Sequence, residues 1–134
     1  MSAQRRPVAH AGAAMIEAAF SLSLLILLLL GIMEIGRAFM TYNLLTYAVR
    51  EGARLAIVSP TLQVNDAEVL GRINTLLQDG GVVAAESSVT FTPPAATGAT
   101  IRVKAKVNFA PVGTMVFNRA VAIPLQVEIV ARHE

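Results

Sequence analysis

"HAGAAMIEAAFSLSLLILLLLGIMEIGR", residues 10–37, decides how the rest of this sequence is read. From Ala18 to Met33, sixteen consecutive residues carry no charge, and most are Leu, Ile, Ala or Phe. As a helix, Ala13 to Met33 spans roughly 31 Å at 1.5 Å per residue, close to the ~30 Å hydrocarbon core of a bilayer. The segment "LSLLILLLLGIM" (22–33) is apolar on every face, and one small domain could not surround it. One carboxylate, Glu17, stands at the near edge of the run, five residues past Gly12. A charge at the centre of a membrane helix costs about 2.5–3.5 kcal/mol or more, so a carboxylate in such a segment calls for a partner.

The flanks of the run set an orientation. Arg5 and Arg6 precede it, while Glu34 and Arg37 cancel after it. The bias of basic residues toward the cytoplasm puts the N-terminus inside and the bulk of the chain outside. A secretory signal peptide also pairs basic residues with an apolar core, but that core is about 7–15 residues long and ends at a small-residue cleavage site. Here the run is longer, and "GIMEIGRAFM" (31–40) continues a helical pattern without an A-x-A site. A plain single-pass anchor is the simpler alternative, and it leaves Glu17 without a role.

Composition narrows the rest. The chain has 134 residues, room for one domain besides the run. Its pI near 9.5 invites a nucleic-acid reading. Of 11 Lys and Arg, however, two lie before residue 13, leaving nine against nine acids in the remainder. No basic stripe is left to bind nucleic acid. With no cysteine, disulfides, thiolate nucleophiles and Cys-type zinc sites are excluded.

Outward from the run, Leu44, Leu45, Ala48, Gly52, Leu55 and Ala56 recur at spacings of three and four, so the helix continues in amphipathic form. Charged Arg50, Glu51 and Arg54 lie on other faces, with Glu51 and Arg54 spaced to pair. Ser59-Pro60 ends the helix. One helix from Ala13 to Val58 is roughly 70 Å long. Phe39, Tyr42 and Tyr47 fall near its exit from the bilayer, where aromatic residues favour the interface. A second helix has Asn65 as its N-cap, Glu68 at capping-box spacing, an apolar face of Val69, Ile73, Leu76 and Leu77, and Gly80-Gly81 as its stop.

Beyond Gly81 the period changes to two. Val89 and Phe91 alternate with Ser88, Thr90 and Thr92, and "PPAATGAT" (93–100) is a turn. Ile101, Val103, Ala105, Val107 and Phe109 then alternate with Arg102, Lys104, Lys106 and Asn108. Ile123, Leu125, Val127 and Ile129 repeat the pattern, with Pro124 marking an edge strand. These are strands of an antiparallel sheet with one covered face. Residues 110–122 read as a crossover loop with room for a helical turn. The expected fold is α+β: a long N-terminal helix, a short second helix and a three-stranded meander. The amphipathic half of the first helix is expected to cover the apolar face of the sheet.

No arrangement for chemistry emerges. The two histidines, His10 and His133, lie close to the two ends, which disfavours a catalytic triad or a His metal site. Glu17 and Glu34 are some 25 Å apart along one helix and cannot act together within one chain. "DGG" (79–81) is a helix stop, not a phosphate loop. Arg102, Lys104 and Lys106 read as a solvated strand face. The expectation is a non-enzyme without cofactor, metal, small-molecule substrate or nucleic-acid partner.

One pattern carries more. A basic leader, then "GAAMIE" (12–17), then the apolar run resembles the cleavage site of type IV prepilins. "GIMEIGR" (31–37) and "AVREGAR" (48–54) narrow this to a resemblance to TadE-like proteins, pseudopilins of tight-adherence (Tad, or Flp) pilus systems, over about residues 11 to 56. The resemblance implies that a membrane peptidase cuts after Gly12, leaving Ala13 as the mature N-terminus and Glu17 as the fifth mature residue. Glu34, Gly36, Arg37, Arg50, Gly52 and Arg54 fall on the family's two helix motifs. Residues 1–12 would be a cleaved leader, 13–36 the transmembrane and assembly helix, and 37–134 an extracytoplasmic α+β domain. The chain would sit in a bacterial inner membrane, or in the pilus itself. Its partners would be the bilayer, the prepilin peptidase, other pilins and the Tad assembly machinery. Two departures stand out: Ala18 where relatives commonly carry a large aromatic, and Ser23 near where they often carry proline.

Given that cut, physics supplies a role for Glu17. Cleavage creates an α-amine on Ala13, four residues upstream on the same helix face. It also makes Ala13 the helix N-terminus, whose dipole favours an anion. In a low-dielectric surround an unpaired charge is costly, so pairing with this amine, or with a neighbouring subunit's, selects one axial register. Gly31 and Gly36 permit close helix approach. The competing expectation is an uncleaved single-pass anchor presenting a small binding domain.

Overall fold

A computed structural model describes residues 9–59, 63–91, 99–112 and 121–132. Helix α1 runs from Ala9 to Val58, α2 from Ala67 to Asp79, and strands β1 (Glu86–Phe91), β2 (Thr100–Phe109) and β3 (Ile123–Arg132) follow. The α+β order expected from the sequence is observed. α1 starts four residues earlier than expected, because nothing between Ala9 and Ala13 breaks a helix and Gly12 only lowers its propensity. The basic part of the leader, Pro60 of the helix stop, the 93–98 turn, most of the 110–122 crossover and His133 lie outside the described residues.

The chain divides into two units, residues 1–35 and 36–134. In the first, α1 is long and apolar enough to cross a membrane, and every side chain from Gly12 to Met33 is exposed. Within it the Ser23 hydroxyl is satisfied without water, donating to the Ala19 carbonyl at 2.8 Å.

The second unit is built on its sheet, ordered β1-β2-β3 and antiparallel throughout. Alternation along β2 buries Ile101, Val103, Ala105, Val107 and Phe109 and turns Arg102 and Asn108 to solvent. Against this face pack Leu45, Ala48, Val49, Ala53 and Ala56 of α1 and Val69, Ile73 and Leu77 of α2. The amphipathic half of α1 therefore covers the sheet, as expected. Val49 and Ala53 join the buried face predicted for it, while Leu44 and Leu55 are only half-buried. On the outer face Arg102 pairs with Glu128 of β3 at 2.9 Å.

β3 follows its predicted face less closely. Val127 is buried and Leu125 and Ile129 are half-buried, but Ile123 is 47% exposed. It opens an edge strand, with a ladder neighbour on one side only.

The start of α2 also departs from expectation. Its N-cap is Asp66, whose carboxylate accepts from the Glu68 and Val69 amides at 3.0 and 3.4 Å. Asn65 works on β1 instead. Its amide donates to the Val89 carbonyl at 2.9 Å, and its side-chain oxygen accepts from the Val89 amide at 3.1 Å. That bond pair holds Asn65 at φ 55°, a conformation asparagine tolerates better than most residues. The end of α2 is a Schellman motif. Gly81 at φ 74° donates to the Gln78 carbonyl and Val82 to that of Leu77, both at 2.8 Å.

Candidate processing site and assembly helix

Nine residues were singled out from the sequence, and all lie on α1. Gly12 and Ala13 sit in its early turns, so the bond between them is helical and exposed. Glu17 is exposed one turn further on, and a helix places positions 13 and 17 on one face. A Cβ added at Gly12, Gly31 or Gly36 would meet nothing within 4 Å. Nothing inside the described chain therefore requires glycine at these positions. Any such requirement must come from something that approaches α1.

Gly52 behaves differently. A Cβ there would lie 2.6 Å from both Cδ1 and Cγ1 of Ile73 and 3.5 Å from Cγ1 of Val69. It is a point where the α1 backbone meets α2 side chains, so its glycine is explained within the fold.

The charged motif residues also separate by role. Glu51 and Arg54 form a two-point ion pair, Nε to Oε2 at 3.0 Å and Nη2 to Oε1 at 2.8 Å. The hydrogen bond from Arg54 is the main cause that lowers the Glu51 pKa, and the same contact raises that of Arg54. Arg50 is exposed, and Glu34 is half-buried. Arg37 lies over the Phe109 ring, 5.5 Å from its centroid, a cation–π contact between the entry of α1 and the end of β2. Beside it opens a groove of about 450 Å³, lined by Arg37, Met40 and Leu44 of α1, the Gly80–Val83 turn and Val107–Ala110.

These residues do not converge on one centre. Gly12, Ala13 and Glu17 belong to the first unit and the 50–54 motif to the second. No set of three or more His, Cys, Asp or Glu able to hold a metal ion occurs among the described residues. Sequence reasoning missed Phe109, Ile73 and Asn65 as partners. Phe109 and Ile73 read as ordinary apolar positions, and no local pattern indicates which helix residue each meets.

Residues 12–54, about a third of the chain, match the family model described as TadE-like protein. No curated protein and no solved structure matches the chain.

Proposed function

We propose that this chain, TadE-like across residues 12–54, is a minor pilin-like pseudopilin of a Tad-type pilus in a bacterial inner membrane. It is made as a precursor and processed after Gly12. The observation that carries this reading is an apolar helix exposed on every face whose first turns hold Gly12, Ala13 and Glu17 in open surroundings. Such a surface is stable only in lipid or against other apolar helices. In processing, water adds to the Gly12 carbonyl, the bond to the Ala13 nitrogen breaks, and Ala13 leaves with a free amine. Once protonated, that amine is a partner for Glu17 that the precursor does not contain. The carboxylate then works in assembly and not in catalysis, by making one axial register of packed helices cheaper than its neighbours.

Intact-mass analysis after co-expression with a prepilin peptidase tests the reading. The expected product lacks residues 1–12. A full-length product would favour the other reading, an uncut single-pass anchor, which the helical geometry around the Gly12–Ala13 bond suits. Gly12→Ala should retain the leader and block assembly. Glu17→Ala should still be cut but fail to assemble, and normal piliation in that variant would remove the register role from Glu17.

A further inference from the structure

The large exposed apolar side chains of the 36–134 unit are unevenly placed. Met40, Val83, Val112, Val121 and Ile123 gather at the end where α1 enters from the apolar run. Geometry within the unit shows this. Met40 and Val83 line the groove that holds Arg37 and Phe109, and Ile123 is the ladder partner of Phe109. Val121 lies two residues before Ile123, and Val112 three residues after Phe109. Met40 and Val83 are each 75% exposed. Phe39 and Tyr42 project from the same turns of α1, also exposed. Among the described residues, Val58, Val64 and Val130 are the large exposed apolar residues toward the opposite end, and Tyr47 lies midway along this part of α1.

Chain continuity identifies what this end meets. Gly36 is the last residue of the proposed span, and the groove flanks α1 from Arg37 to Leu44, within about 10 Å of axial rise. On the reading that residues 13–36 span the membrane, the chain leaves the bilayer within that distance along α1 of the rim. Val, Ile, Met and aromatic side chains around a guanidinium are the chemistry that partitions into the boundary between headgroups and acyl chains. Of the sheet's acids, Glu86 faces Lys106 and Glu128 pairs with Arg102.

We infer that this end of the domain is a lipid-binding rim, with Val83, Val112 and Ile123 entering the membrane interface and Arg37 at the level of the lipid phosphates. The inference rests on the reading that residues 13–36 span the membrane, but not on cleavage. Since the chain is free of cysteine, single cysteines can be placed at will.

The full, uncut chain would be reconstituted in phosphatidylethanolamine–phosphatidylglycerol vesicles. Leu25→Cys, Val83→Cys, Ile123→Cys and Val64→Cys variants would each carry an environment-sensitive fluorophore, quenched in separate samples by lipids spin-labelled near the headgroup and near the end of the acyl chain. Each variant should keep the wild-type unfolding midpoint, with Val112→Cys replacing whichever of the two rim variants does not. Strong quenching at 25 by the acyl-chain label and at 83 and 123 by the headgroup label, with little at 64 by either, is the expected result. Quenching at 25 alone overturns the rim and leaves the span intact. No quenching at 25 overturns both. Quenching at 83 and 123 that disappears as the protein-to-lipid ratio rises assigns the rim to a second copy and overturns the lipid assignment.

Discussion

Gly52 and Gly12 are the same residue type in opposite circumstances, one enclosed and one open. Because Ile73 is fully buried, it has little room to retreat from a Cβ at position 52. Gly52→Ala should therefore cost about 1–3 kcal/mol by overpacking, read from denaturant unfolding of the detergent-solubilised chain. Combined with Ile73→Ala, the two costs should add to less than their sum, and simple additivity would show that the contact is not responsible. Asn65 invites a second comparison. Glycine at 65 keeps the left-handed backbone and loses only the side-chain bond to Val89, whereas alanine loses both. Asn65→Ala should thus unfold at lower denaturant than Asn65→Gly, and the reverse order would discount the backbone conformation. Asn65 and Asp66 are both good cap residues, so local preference could not choose between them. The bond to a strand 24 positions away did.

At the scale of elements, α2 depends on its ends. Asp66→Ala should cost about 0.5–2 kcal/mol, measurable as a lower unfolding midpoint, while Glu68→Gln should cost much less. α1 carries a pH-dependent pair. The Glu51 carboxyl lies below its ordinary value of 4.5 in the fold, chiefly through the Arg54 hydrogen bond. A depressed carboxyl contributes stability above its unfolded-state pKa and loses it as pH falls through the folded value. Arg54 is exposed and Glu51 only half-buried at the surface, so the effect is small. Wild type should lose slightly more stability than Glu51→Gln on acidification below the carboxylate range, and parallel pH profiles would show no contribution. The elements themselves were legible, because each rests on a local period. β2 alternates without a fault and buries its predicted face. Ile123 was misread because period alone does not reveal where an edge strand runs beyond its cover.

At the scale of the whole molecule, the two units are held to be stable for different reasons, one by solvent and one by packing. Leu45→Ala opens the core of the second unit and should cost about 2–5 kcal/mol there. The apolar run contributes nothing to that core, so the variant should still fractionate with membranes while its domain becomes protease-sensitive. Loss of membrane association together with loss of the domain would show that the units are not separable in this way.

The sequence by itself determined the apolar span, the amphipathic continuation of α1, the second helix, the alternating strands and the motif residues on α1. Each follows from transfer free energy or from a period read within one segment, quantities that need no knowledge of distant residues. Tertiary structure alone decided that Gly52 faces Ile73, that Arg37 covers Phe109, that Asn65 holds β1, and that the exposed apolar residues gather at the entry of α1. These pairings join segments far apart in the chain, and many apolar or polar partners would satisfy each local pattern equally well. Only close packing of the folded domain selects among them.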